Sequence, residues 1–101
     1  MEAEVELYEI LWKSQYVEKL AVKHRVTTDE VEDVLFGRPH IRFWEKGKVR
    51  GEDLYLAYGQ TDAGRYLIVF FVHKPHQTAF PISARDMTDA ERRYYNERKT
   101  R

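Results

Sequence analysis

Seven consecutive apolar residues, Tyr66 to Val72, constrain the fold of this 101-residue chain more than any other feature. The run has the length of a strand and is far too short to cross a membrane. Because it is apolar on both faces, we predict that it forms the central strand of a sheet. A four-residue hairpin loop at 61–64 precedes it, and Gly64 there suits a positive φ angle.

Strand patterns flank this run on both sides. Residues 41–45 and 54–58 come before it, and residues 78–84 follow a turn at 73–76. We therefore predict an antiparallel sheet of about four or five strands. Residues 4–12 alternate as a strand does, but their apolar positions also fit one face of a helix.

The sequence contains two capping-box patterns, and each predicts the start of a helix. Thr27 with Glu30, and Thr88 with Glu91, pair a hydroxyl at the N-cap with a carboxylate three residues later. Gly37 is predicted to end the first of these helices, and the second ends in a basic tail, 98–101, that we expect to fray. An earlier helix, capped by Ser14, is predicted from an apolar face at helical spacing: Val17, Leu20, Ala21 and His24. The predicted fold class is α+β, with N-terminal helices, the sheet and a C-terminal helix in a single domain, 1–101.

The net charge is zero, but its distribution is uneven. Residues 1–37 contain nine acidic and four basic residues, whereas residues 38–101 contain eight acidic and thirteen basic ones. This asymmetry indicates either a basic surface for a polyanion such as RNA or two solvated charged faces. The chain has no cysteine, which excludes disulfides and thiolate metal sites. It begins without a secretory signal pattern, so we expect a cytoplasmic protein with no membrane contact.

The basic half contains the residue types that cleave RNA without a metal. Attack of the 2′-hydroxyl on phosphorus needs a proton acceptor, a proton donor and cations for the developing charge. Arg85 stands between the predicted last strand and the C-terminal helix, where it is anchored on both sides, and its guanidinium offers two parallel donors to a phosphate. The alternative is a structural brace that pairs with Asp86, Asp89 or Glu91.

Further candidates lie on the loops that lead into the predicted strands. One connection between strands contains three cations and a carboxylate: Lys46, Lys48, Arg50 and Glu52. The alternative for this set is an ordinary charged loop. Arg65 opens the central strand, and its alternative role is a salt bridge with Asp62 or a neighbouring carboxylate.

The helices contribute the remaining candidates. Arg92 and Arg93 point about 100° apart, so at most one faces the site. In the same way, one of Tyr94 and Tyr95 packs on the sheet, and the other stacks on a base or donates its hydroxyl. His24 is either a half-buried histidine bonded to a carbonyl or a proton-transfer group.

No metal site and no cofactor are predicted. His73 and His76 have a ligand-like spacing, but they lie on a turn without a third ligand at suitable spacing.

Several short motifs resemble those of the BrnT toxin family, which are small RelE-like ribonucleases of bacterial type II toxin–antitoxin systems. The C-terminal signature is Ile82-Ser83-Ala84-Arg85 followed by Met87-Thr88, Glu91-Arg92-Arg93 and a tyrosine. The other matches are Gly51-Glu52 with Tyr55, Gly64-Arg65, and Lys23-His24 before Val26. Together these motifs extend over roughly residues 10 to 98.

The resemblance implies a RelE-like fold with an early strand that ends near Trp12. It also implies a toxin that cleaves RNA, with Arg65, Arg85, Glu52 and His24 as catalytic residues. RNA contacts would come from the other basic and aromatic candidates: Lys46, Lys48, Arg50, Arg92, Arg93 and Tyr94.

The implied partners are RNA and a cognate antitoxin, with a ribbon-helix-helix DNA-binding domain, in a homodimer or a toxin–antitoxin heterotetramer. The chain departs from the family at Lys13, Tyr16 and Leu20, where an aspartate, a lysine and an asparagine are usual. These departures keep two alternatives open: a non-catalytic module that binds RNA or protein, and an inactive toxin remnant.

Overall fold

The computed structural model describes residues 5–99 and has the predicted α+β architecture, with helices on both faces of one sheet. The elements in chain order are β1 (Glu9–Ile10), α1 (Ser14–Lys19), α2 (Thr28–Phe36), β2 (His40–Glu45), β3 (Leu54–Gln60), β4 (Tyr66–Lys74), β5 (Thr78–Asp86) and α3 (Asp89–Lys99). A π-helical turn, Leu20–His24, continues α1.

The strand order is β1-β5-β4-β3-β2, so the apolar run lies in the central strand as predicted. Strands β2 to β5 pair antiparallel with their sequence neighbours, but β1 pairs parallel with β5. The sheet is therefore mixed rather than purely antiparallel. No hairpin joins β1 to β5, so no tight turn imposes an antiparallel direction on this pair.

The two-residue period of β4 divides the core between the two faces of the sheet. Leu67, Val69 and Phe71 pack with α2 and the π-helical turn on one face, which we call the α2 face. Ile68 packs with Tyr95 of α3 on the other, the α3 face. Burial on both sides explains why this strand is apolar along most of its length.

Both predicted capping boxes are confirmed. At α2, the Glu30 amide donates to Thr27 Oγ1 (3.2 Å) and the Thr27 amide donates to Glu30 Oε1 (3.1 Å). At α3, the Glu91 amide donates to Thr88 Oγ1 (3.2 Å) and the Thr88 amide donates to Glu91 Oε1 (2.8 Å). Each capping box therefore fixes the residue at which its helix starts.

The prediction that Ser14 caps α1 is wrong. Ser14 is already helical, and the N-cap is Lys13, which makes no side-chain capping bond. The helix changes to π-helical geometry at the buried Leu20 and ends at Arg25, which adopts a left-handed conformation with φ of 55°. The Gly64 prediction is confirmed, with φ of 96° in the β3–β4 hairpin.

Several predicted boundaries need correction. Strand β4 continues through His73 and Lys74, because the turn uses residues 75–77, of which His76 and Gln77 have positive φ angles of 63° and 56°. Strand β5 continues to Asp86, so Arg85 lies within the strand rather than after it. Arg98 and Lys99 belong to α3, and the rest of the predicted tail, 100–101, lies outside the described residues, as does residue 4 of the early segment.

Candidate active site

Helix α3 covers only part of its face of the sheet. Its Tyr95 is buried against Tyr66 and belongs to a cluster with Tyr58, Ile68 and Met87 at one end of the strands. Toward the other end of the same face, a cleft of about 430 Å³ remains open between the loop 46–53, the start of α1 and the strands. We call it the Lys74 cleft.

The Lys74 cleft combines an apolar floor with three charged side chains. Apolar groups come from Leu54, Val72 and Phe80, and the charged groups are those of Lys48, Glu52 and Lys74. Lys74 Nζ lies 2.9 Å from Glu52 Oε1, and the Glu52 side chain is only 18% exposed. A carboxylate and an ammonium are therefore held in contact within a cavity that is open to solvent.

Main-chain hydrogen bonds hold the loop that carries Glu52. The Glu52 amide donates to the Val49 carbonyl (3.0 Å), and the His73 amide of β4 donates to the Asp53 carbonyl (2.9 Å). The Asp53 carboxylate accepts from the Gly47 amide at 3.3 Å, which joins the two arms of the loop. The position of Glu52 is thus fixed relative to β4 and Lys74.

Two lysine ammonium groups lie near the ring of Phe80 in the cleft. The ammonium groups of Lys13 and Lys74 lie 4.9 and 5.8 Å from its ring centroid, within cation–π range. The Tyr16 ring contacts it edge-on, at a centroid distance of 5.3 Å. The first turn of α1 therefore forms one wall of the cleft, and a lysine lies at its rim.

Arg85 lies on the α3 face at the boundary between α3 and the open part of the sheet. Its guanidinium donates to both Glu91 oxygens (2.8 and 2.9 Å) and lies 5.6 Å from the Phe70 ring centroid. The hydrogen bond from Arg85 lowers the pKa of Glu91 to about 2, so the carboxylate is ionised at neutral pH. Of the predicted alternatives for Arg85, pairing with Glu91 is the one observed.

Arg65 lies on the opposite, α2 face. Its Nε and Nη2 each donate a hydrogen bond to the Asp86 carboxylate. The remaining N–H groups donate to the carbonyls of His24 and Arg25 and to the Glu30 carboxylate, and all these distances are 2.8 to 3.2 Å. All five N–H groups of the guanidinium are therefore engaged. The Asp86 hydrogen bond raises the pKa of Arg65, and the Arg65 hydrogen bond lowers the pKa of Asp86.

The structure does not bring Arg65 and Arg85 together. Residue 85 pairs with Ile68, an α3-face position, whereas residue 65 has the parity of Leu67 on the α2 face. His24 is found with Arg65, because its carbonyl accepts from Arg65 Nη2 at 3.1 Å. The catalytic roles assigned to Arg65 and His24 stay predictions, and their contacts favour a structural role.

The other predicted cations are distributed around the α3 face. Lys48 lines the cleft, while Lys46 and Arg50 are exposed on the same loop. Arg92 and Arg93 are both exposed, and the Arg92 guanidinium lies 4.2 Å from the Tyr66 ring centroid.

Of the two tyrosines, Tyr95 is the one that packs on the sheet, buried in the core, and the role of Tyr94 at the site stays a prediction. The Tyr94 hydroxyl lies 2.8 Å from His40 Nε2, and the guanidinium groups of Arg42 and Arg98 lie 5.0 and 3.6 Å from its ring centroid. Tyr94 is thus held beside the edge strand β2, between the buried end of the α3 face and its open part.

Sequence reasoning missed Lys74, Arg42 and Trp44. Lys74 was assigned to a turn, although alternation continued from Phe70 through Val72 places it on the same face as both. Arg42 and Trp44 lie two residues apart in the predicted strand 41–45, so its alternation places both side chains on one face. The period of two in each strand was the signal that identifies these residues.

Residues 5–99 contain neither a membrane-spanning helix nor a cluster of metal ligands. No helix in 5–99 is long and apolar enough to span a membrane. No three His, Asp or Glu side chains in this range are grouped closely enough to bind a metal ion.

Comparison with protein families identifies a match over most of the chain. The model of the family described as "Ribonuclease toxin, BrnT, of type II toxin-antitoxin system" matches residues 12–91. This range extends from the residues before α1 to the first turn of α3, so it contains Lys48, Glu52, Lys74 and Arg85. No curated protein matches the chain.

Proposed function

This chain belongs to the BrnT family of ribonuclease toxins of type II toxin–antitoxin systems, and from this premise we propose that its α3 face binds and cleaves RNA without a metal ion. The observation that supports the proposal most directly is the Glu52–Lys74 contact in the Lys74 cleft, with Lys48 beside it. A proton acceptor, a proton donor and a further cation are the groups that this reaction requires.

The proposed reaction is an internal transfer at phosphorus. The 2′-oxygen attacks the adjacent phosphorus, the bond from phosphorus to the 5′-oxygen breaks, and a 2′,3′-cyclic phosphate and a 5′-hydroxyl result. The Glu52 carboxylate accepts the 2′ proton, and the Lys74 ammonium donates a proton to the leaving oxygen. Lys48 stabilises the negative charge on the phosphoryl oxygens.

Arg85 serves a neighbouring phosphate in this proposal. Its guanidinium lies over Phe70, and Phe70 and Lys74 are separated by four residues of one strand, or ~13 Å. An RNA strand laid along β4 would reach both groups with successive phosphates. The basic and aromatic candidates around this face, including Arg92, Tyr94 and Arg50, belong to the proposed RNA-binding surface. The contacts of Arg65 and His24 favour structural roles instead.

By family membership, the implied partner is a cognate antitoxin, and we propose that it carries a ribbon-helix-helix domain and covers the basic surface. A homodimer or a toxin–antitoxin heterotetramer is the expected assembly. The site of action is the cytoplasm, where the RNA substrate is found.

The test is cleavage of an RNA oligonucleotide by the purified protein in the presence of EDTA. We expect products with 2′,3′-cyclic phosphate ends, and no cleavage where a 2′-deoxy residue replaces the attacking ribose. Glu52→Gln and Lys74→Met are each expected to lower the cleavage rate constant at least about 100-fold, the usual contribution of an acid or base. Glu32→Gln on α2, across the sheet, is the matched control and is expected to cleave like the wild type.

Three results would contradict the proposal. Cleavage that stops in EDTA removes the metal-free reaction, and undiminished cleavage by Glu52→Gln removes this residue from it. RNA binding with no cleavage at all would support the alternative, a non-catalytic binding module. This alternative is favoured by one feature of the structure, since both arginines predicted to be catalytic, Arg65 and Arg85, are ion-paired with carboxylates.

A further inference from the structure

Trp44 exposes a large aromatic surface on the α3 face. Its side chain lies on the edge strand β2, is 45% exposed, and contacts Phe70 of the central strand at a ring-centroid distance of 5.2 Å and an interplanar angle of 67°. On the same face, Tyr94 of helix α3 contacts His40, which lies four residues before Trp44 on β2. An exposed aromatic cluster on a functional face indicates a binding role.

Cations flank the Trp44–Phe70 pair on two sides. Arg85 lies 5.6 Å from the Phe70 ring centroid, on the β5 side. Arg42 precedes Trp44 by two residues on β2, and both contact α3-face partners, Tyr94 and Phe70. An aromatic surface between two guanidinium groups complements a ligand with a planar apolar ring beside an anion, which describes a nucleotide.

Two other exposed apolar side chains, Phe36 and Val22, do not share this setting. Phe36 is 51% exposed, but it ends α2 and therefore lies on the side of the sheet away from the cleft. Val22 projects from the π-helical turn on that same side. Neither lies on the face of the site cations, so the neighbouring charge distinguishes Trp44 from these two residues.

We propose that Trp44 and Phe70 form a stacking site for one nucleobase of a single-stranded RNA, next to the phosphate that Arg85 holds. This inference rests on the proposed function, because it uses the same RNA path along β4. Phe70 and Lys74 are four residues apart on β4, so the base bound at Trp44 belongs to a nucleotide ~13 Å from the Lys74 cleft. The site recognises a base by its aromatic face, so it tolerates different sequences but requires an unpaired strand.

The experiment measures binding of a fluorescently labelled RNA whose riboses all carry 2′-O-methyl groups, which block the attacking oxygen. Affinity is compared for the wild type, Trp44→Ala, Trp44→Phe and the control Phe36→Ala, with the full oligonucleotide and with a set in which one base at a time is removed. Each abasic RNA keeps every phosphate, so the comparison isolates stacking from charge.

Trp44→Ala is expected to weaken binding of the full RNA by roughly tenfold, the magnitude of one stacked base. Trp44→Phe and Phe36→Ala are expected to bind within about twofold of the wild type. Removal of the base at one position is expected to weaken RNA binding by the wild type by a similar factor. The same removal is expected to leave binding by Trp44→Ala almost unchanged, since the two changes remove the same contact.

The inference is overturned if Trp44→Ala binds the full RNA as the wild type does, if every abasic penalty persists in that variant, or if the wild type does not bind this RNA. It is also overturned if Trp44→Ala weakens only the complex with the antitoxin, which would assign the surface to a protein partner. The proposed function is tested separately by cleavage of unmodified RNA: Trp44-dependent binding without cleavage keeps the stacking site and rejects the nuclease.

Discussion

Substitution of Arg65 distinguishes a structural residue from a catalytic one. The Arg65 guanidinium joins three elements, because it bonds the carbonyls at the end of the π-helical turn, Glu30 in the first turn of α2 and Asp86 at the end of β5. Arg65→Ala leaves two carbonyls and two carboxylates without this donor. We therefore expect a large loss of stability, with the chemistry on the opposite face left intact.

The magnitude follows from the contacts. The two hydrogen bonds to helix-terminal carbonyls contribute about 1 kcal/mol each. The ion pairs to Glu30 and Asp86 add about 0.5 kcal/mol each, since all three side chains are partly exposed. The expected decrease in the free energy of unfolding is thus about 3 kcal/mol, out of the 5–15 kcal/mol typical of a domain. Arg65→Lys keeps the charge but not the planar fork, so it is expected to lose about 2 kcal/mol.

The assay is urea unfolding followed by circular dichroism, with Arg93→Ala as the control for removal of an exposed arginine, expected within about 0.5 kcal/mol of the wild type. RNA cleavage by Arg65→Ala is measured at a temperature where the variant is folded. An unchanged unfolding free energy combined with lost cleavage would refute the structural role and return Arg65 to the site.

Two further predictions concern the Arg85–Glu91 pair. Because the pKa of Glu91 is about 2 in the folded protein, its stabilising contribution is complete above about pH 4.5 and is lost as the pH falls toward 2. The free energy of unfolding, measured in urea between about pH 7 and 2, should therefore decline less steeply in Glu91→Gln than in the wild type. Identical pH dependences in the two proteins would contradict this. Arg85→Ala should relieve growth arrest on expression while its circular dichroism spectrum stays native, and undiminished toxicity would remove Arg85 from the mechanism.

The local signals in the sequence predicted the elements well. The capping boxes at Thr27 and Thr88, the hairpin at Gly64 and the central strand all depend on residues a few positions apart, and the structure confirms each. The family resemblance, confirmed over residues 12–91, carried the expectation of an RNA-cleaving protein.

The face on which each arginine lies was not predictable in the same way. The alternation within a strand is local, but the register between β4 and β5 depends on the turn at 75–77 and on an irregularity between Phe70 and Phe71. A shift of one residue moves every side chain to the other face. The partners of Arg65 are likewise 21 to 41 residues away in sequence, so spacing alone could not reveal that its donors were engaged.

Both capping glutamates also bind an arginine outside their own helix: Glu30 binds Arg65, which directly precedes β4, and Glu91 binds Arg85 of β5. The start of each helix is consequently coupled to one arginine, and fraying of the helix and release of the guanidinium are a single event. On the α2 face, this coupling joins the π-helical turn, α2 and the end of β5. On the α3 face, the proposed RNA phosphate at Arg85 would compete with Glu91. We therefore expect RNA binding to loosen the first turn of α3, and faster amide exchange at that turn would report this competition.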